Sequence, residues 1–191
     1  RGLICKGAIT ATTGASWDVF STYRIKWTKK GNIKSVDLLY AVNGTTFDPT
    51  PINPTPIVIE DGANGAPNRE GSDDAGPYFF DWTIPNNTAL SAGSVAKIKA
   101  VSVDPSSQNN ANVSVASNPF EVKGSLTVST PSAAGIVMTY GDPAGYKITW
   151  VKGGAIANVK LYYSTNGGSN YASFPINGGA TVPATGQVGC T

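Results

Sequence analysis

The chain has 191 residues, 14% of them charged, a formal net charge of +2 and no histidine. Its lysines are scattered, unlike the clustered basic face that binds nucleic acid by counterion release, and no apolar run nears the ~20 residues needed to span a bilayer. Nucleic-acid partners and membrane insertion are therefore not expected. Histidine-based nucleophiles are excluded, and zinc and haem sites lose their commonest ligand.

The length fits one large domain or two small ones. With 22 Gly and 13 Pro, the composition favours short strands joined by turns over helices. In chain order, Tyr23, Ile25 and Trp27 alternate with polar residues and line one face of a strand. Lys29-Lys30-Gly31-Asn32 has turn chemistry. Val36, Leu38, Tyr40 and Val42 form the next alternating strand, closed by Asn43-Gly44, a dipeptide suited to positive φ. Further strands are predicted at Phe79–Ile84, Ala96–Val103 and Ala116–Val122. Pro85 and Pro105 punctuate the first two, since proline does not fit inside a central strand.

The pattern then repeats. Tyr146-Lys147-Ile148-Thr149-Trp150 reproduces Tyr23-Arg24-Ile25-Lys26-Trp27 at a shift of 123. Without a gap, Gly31, Ile33, Val36, Leu38, Tyr40, Asn43 and Gly44 fall on Gly154, Ile156, Val159, Leu161, Tyr163, Asn166 and Gly167. Lys6-Gly7-Ala8-Ile9-Thr10 matches Lys123-Gly124-Ser125-Leu126-Thr127 at a shift of 117. Such a repeat marks tandem modules. The predicted fold class is all-β, in tandem immunoglobulin-like or fibronectin III-like β-sandwiches. The expected boundaries are a closing strand of a preceding module at 1–7, a complete module at 8–123, and a second module at 124–191. The second is expected to lack a copy of the Phe80–Pro85 strand and the two strands after it, with the missing strands supplied by further polypeptide or by a neighbouring subunit. Predicted core positions are Trp27, Trp82, Trp150, Tyr40 and Tyr163.

These motifs resemble a bacterial surface repeat related to the Ser/Thr-rich GPI-anchored family and to the N-terminal domain of yeast cell-wall β-glucan synthesis proteins. Trp17 before Tyr23–Trp27, then Phe80-Asp81-Trp82-Thr83-Ile84-Pro85 and Phe120-Glu121-Val122-Lys123-Gly124, carry the resemblance in the first copy. Asn158 to Gly168, reading N-V-K-L-Y-Y-S-T-N-G-G, carries it in the second. The second copy departs by having Ile136 to Met138 where the first tryptophan is expected. The resemblance implies strings of modules in large secreted or cell-wall proteins. The partners would be neighbouring modules or copies of the chain itself, with an extracellular or cell-surface location.

Four further features bear on function. Glu60, Asp61, Glu70, Asp73 and Asp74 fall within the Ile52–Pro77 insertion. They read either as a solvated acidic loop or as oxygen ligands for calcium, the one candidate cofactor, although their spacing does not match a twelve-residue calcium loop. A glycosidase pair is disfavoured, because one loop offers no fixed separation between two carboxylates. Trp17 and Tyr78, with Phe79 and Tyr171, are candidates for stacking on cell-surface glycans, with core or intermodule packing as the competing account. Cys5 and Cys190 read either as two thiols or as a disulfide between modules or chains, and Asn43, Asn86 and Asn112 begin N-x-S/T sequons. The predicted function is a non-catalytic structural or adhesive repeat, with a carbohydrate-binding accessory module as the alternative.

Overall fold

The computed structural model describes residues 15–31, 33–59, 69–70, 76–103, 113–132 and 146–176, with the backbone of strand segments 182–183 and 187–190. Residues 1–7, with Cys5, lie outside the described residues, as do Glu60, Asp61, Asp73, Asp74 and Asn112. Among the described residues there are only β-strands and turns, with no helix. The chain divides into two compact units, Arg1–Lys123 and Gly124–Thr191, here called module one and module two.

Module one contains β1 (Ser16–Asp18), β2 (Thr22–Trp27), β3 (Ser35–Ala41), β4 (Ile57–Val58), β5 (Tyr78–Thr83), β6 (Lys97–Ser102), β7 (Ser114–Ala116) and β8 (Glu121–Lys123). One layer is the four-stranded sheet β4-β3-β6-β7. Facing it are the antiparallel pair β2·β5 and the parallel pair β1·β8. These two pairs are joined by backbone bonds from Phe20 N–H to the Ile84 carbonyl (2.9 Å) and from Ile84 N–H to the Ser21 carbonyl (3.1 Å). Side chains alternate across each strand, and the inward set forms one core from both layers, including Ile25, Trp27, Leu38, Trp82, Ile98, Phe120 and Val122. Fully burying such a side chain stabilises by about 1.5–3 kcal/mol, so this set gives module one a core of its own. Trp27 and Trp82 are buried in it, and Tyr40 is half-buried against it.

The predicted strand at Ala116–Val122 is in fact two. Between β7 and β8, the Ser117 hydroxyl donates to the Asn118 carbonyl (2.8 Å) and accepts from Ile98 N–H (3.0 Å). Pro119 has no N–H to extend a ladder. The ladder is interrupted at Asn118 and Pro119, touches the β6 side once more through the Phe120↔Ala96 bridge, and the chain then joins β1 in the other layer from Glu121.

Module two contains β9 (Ser125–Thr130), β10 (Tyr146–Gly153), β11 (Asn158–Val159), β12 (Val182–Pro183) and β13 (Gln187–Cys190). Its three-stranded sheet runs β13-β10-β9, with β11·β12 as a second pair. The repeat extends to pairing register. In module one Tyr23 faces Trp82 and Ile25 faces Phe80. In module two Tyr146 faces Cys190 and Ile148 faces Val188. Likewise Val36 faces Ile57, and Val159 faces Val182. The expectation that module two has no counterpart of the Phe80–Pro85 strand is thus corrected: β13 stands on β10 where β5 stands on β2.

Candidate functional site

The two modules reuse one turn. Gly31 and Gly154 adopt φ of 84° and 94°, and their carbonyls accept from Ile33 and Ile156 N–H at 3.0 and 2.8 Å. A lysine anchors each turn: Lys29 Nζ donates to the carbonyls of Ile33 (3.4 Å) and Ile59 (3.0 Å), and Lys152 Nζ donates to the carbonyl of Ile156 (2.7 Å). Lys29 is buried, with its ammonium 5.7 Å from the Tyr78 ring centroid. The indole N–H groups of Trp27 and Trp150 are both buried without a hydrogen-bond partner.

The glycan-stacking reading of Trp17 and Tyr78 is corrected. Trp17 is 7% exposed and Tyr78 is 0% exposed. The Trp17 ring stacks on Tyr23 at 4.7 Å and meets Phe120 at 4.3 Å, so neither face is open to a sugar. Tyr78 packs on Trp27 within the core. Aromatic surface is instead available on Tyr40 and Phe47, in a shallow cleft of about 760 Å³ on module one that also runs past Pro85. Lys99 Nζ sits 4.4 Å from the Phe47 ring centroid there, and Tyr40 donates its hydroxyl to the Ala89 carbonyl (3.1 Å).

Of the five candidate calcium ligands, only Glu70 lies among the described residues, and it is engaged by cations. It accepts from Arg24 Nη1 (3.1 Å) and Lys26 Nζ (2.7 Å). Arg24 also grips Asp81 through Nε and Nη2, both at 2.7 Å, and lies 4.0 Å over the Phe79 ring. This network occupies the solvent face of β2·β5. The hydrogen bonds from Lys26 and Arg24 hold the Glu70 carboxyl below the usual carboxylate range. The bidentate bond from Arg24 does the same for Asp81, and both carboxylates raise the Arg24 guanidinium. A general acid needs its proton near neutral pH, which requires a raised value. These two carboxyls are shifted the other way. The network was missed in the sequence, although Arg24 and Lys26 occupy the outward positions of an alternating strand and so call for acidic partners.

Module two presents a different surface. Its buried cluster centres on Trp150 and Val159, with Ile148, Ile156 and Leu161 partly buried against it. Tyr163, predicted to be core, is 55% exposed. The reason is visible at the equivalent Tyr40, which β6 flanks through the Tyr40↔Ile98 pair; nothing flanks Tyr163 in this way among the described residues. Leu126, Val128, Tyr162 and Tyr171 are exposed as well. With Trp150 and Leu161 they line an open apolar hollow of about 530 Å³.

No family model matches the chain, and no curated protein matches it. Among solved structures, fibronectin(III)-like modules of Clostridium thermocellum CbhA share 16% identity with it, over 61% of this chain and 94% of that one, at a TM-score of 0.29.

Proposed function

We propose that this chain is a non-catalytic structural or adhesive repeat of a large secreted or cell-surface protein, working through neighbouring modules or copies of itself. The observation that carries this reading is the reuse of one strand register in both modules, from Tyr23↔Trp82 to Tyr146↔Cys190 and from Val36↔Ile57 to Val159↔Val182. Repetition that preserves a scaffold, and not a constellation of reactive groups, is what an array of modules requires. The ionised, mutually paired state of Arg24, Glu70 and Asp81 supports a role in holding strands together. The resemblance to cell-wall repeats supports the location.

A carbohydrate-binding role is the second reading, favoured by one observation: the cleft lined by Tyr40, Phe47 and Pro85 leaves two aromatic rings partly exposed. Stacking plus a few polar contacts is the usual chemistry of a small-molecule site. The two readings separate in one set of assays on the whole chain: retention on surface material of the source cell, a glycan array, and a panel of hydrolase substrates. Retention without turnover and without sugar binding is expected. Turnover of any substrate overturns the first reading, and saturable sugar binding abolished by Phe47→Ala selects the second.

A further inference from the structure

Module one shows what a module places beside its third strand. β6 pairs with β3 from Val36↔Ser102 to Ala41↔Lys97, and its Ile98 and Ala100 join Leu38 in the core. In module two the corresponding edge, at residues 160–164, has no paired strand among the described residues. Its polarity can be read from the backbone. Leu161 and Tyr163 carbonyls accept N–H bonds from Ile176 (2.9 Å) and Ala172 (3.0 Å), as Leu38 and Tyr40 carbonyls accept from Ile52 and Asp48 (both 2.8 Å). Alternation along an extended chain turns the backbone groups of Lys160 and Tyr162 to the other edge, the side that β6 takes in module one. The apolar hollow lies alongside, walled by Leu126, Val128, Trp150 and Leu161. The turn glycines report the same difference. A Cβ on Gly44 would collide with the carbonyl of Val95, just ahead of β6, whereas a Cβ on Gly167 would meet nothing within 4 Å.

Charge narrows the occupant. Lys160 holds the position of Asp37, which faces Val101 of β6. Between Gly124 and Thr191 the sequence has three lysines, Lys147, Lys152 and Lys160, and one carboxylate side chain, Asp142. Opposite charges stabilise a directly facing cross-strand pair and like charges destabilise it. A second copy's β6 is a poor occupant, since Ile98 is fully buried in its own module and Lys97 and Lys99 would add to the positive charge.

We infer that the edge at residues 160–164 of module two accepts an extended strand from a partner polypeptide, apolar at alternate positions and carrying a carboxylate opposite Lys160. This deepens the proposed repeat function and rests on it, naming the edge and the chemistry of the partner. Strand addition of this kind draws affinity from main-chain bonds and specificity from alternate side chains.

The test titrates the whole chain with eight-residue peptides of the Ala96–Val103 sequence, with threonine in place of both lysines and Glu or Lys at the place of Val101. Binding is followed by calorimetry and by amide hydrogen exchange. The Glu peptide is expected to bind about three-fold or more tightly than the Lys peptide and to slow exchange at Lys160 and Tyr162. Lys160→Glu, an exposed substitution, is expected to reverse that order. The inference is overturned if neither peptide saturates, if a scrambled peptide binds equally well, or if the chain dimerises and protects the same amides without peptide, which assigns the edge to a second copy. Any of these results leaves the non-catalytic reading intact, since that reading falls only to turnover or to sugar binding.

Discussion

Trp17 and Tyr23 lie face to face, with ring planes 3° from parallel, and the Tyr23 hydroxyl accepts the Asp18 backbone N–H at 2.7 Å. The stack pins β1 against β2 and closes the layer that carries β8. Trp17→Ala is therefore expected to act on stability. Removing a buried tryptophan costs about 3–5 kcal/mol, measurable as a lower urea midpoint with an unchanged slope. A variant of native stability that had lost only sugar binding would contradict the burial of this ring.

Gly44 and Gly167 make a matched pair, with φ of 72° and 67°. Alanine at either position carries the left-handed penalty of about 1 kcal/mol. At Gly44 the new methyl group also meets the Val95 carbonyl. Gly44→Ala should cost roughly 2 kcal/mol or more in all, and Gly167→Ala close to the conformational penalty alone. Thermal unfolding of the two variants compares them directly.

The Arg24 network predicts an acid response of defined sign. Glu70 and Asp81 have folded values below their unfolded ones, through hydrogen bonds from Arg24 and Lys26. Their contribution is present above the ordinary carboxylate range and is lost as pH falls through the depressed folded values. Arg24→Met should lower stability near neutrality and flatten the curve through that acid window, so that variant and native chain converge at its acid end. Both carboxyls are exposed, so the effect should also shrink with added salt. Denaturation across a pH series at two salt concentrations checks both points.

Tyr40 gives the alkaline counterpart. Burial pushes its phenol up to about 12, against an ordinary value of about 10. Its contribution to stability is complete below the ordinary value and is lost as pH rises from there through the folded one. Tyr40→Phe should remove that part of the alkaline loss. At neutral pH it should cost about 0.5–1.5 kcal/mol, for the hydrogen bond to Ala89. Near-ultraviolet absorbance titration should show a late ionisation step in the native chain that the variant lacks.

Strand positions were legible because a period of two survives in Tyr23-x-Ile25-x-Trp27 and in Val36-x-Leu38-x-Tyr40, and because one shift carries both patterns into module two. Neither feature depends on distant residues. What the sequence hid was set by long-range partners. Trp17 is the same residue type on a sugar platform or in a core; Phe120, far along the chain, decides for the core. Glu70 looked like a cation ligand until Arg24 and Lys26 arrived from another strand. Tyr163 inherits the alignment of Tyr40 without the strand that flanks it. β13 was invisible, since Gln-Val-Gly-Cys shares no pattern with the Phe-Phe-Asp-Trp it replaces at that place on the sheet.

Among the described residues, the pairing of Val159 with Val182 stands in module two with no further strand beside β11, which bears on synthesis. In module one, residues 42–96 separate the end of β3 from the start of β6. At ribosomal speeds of ~5–20 residues per second, that interval leaves the β3 edge bare for roughly three to eleven seconds. Nascent chains on one messenger that carry the same repeat meet in that window, each offering an edge that another's β6 would fit. The spacing between β3 and β6 is thus a kinetic parameter for misassembly: lengthening it should raise the yield of strand-exchanged dimers during translation, while the finished module's stability changes little.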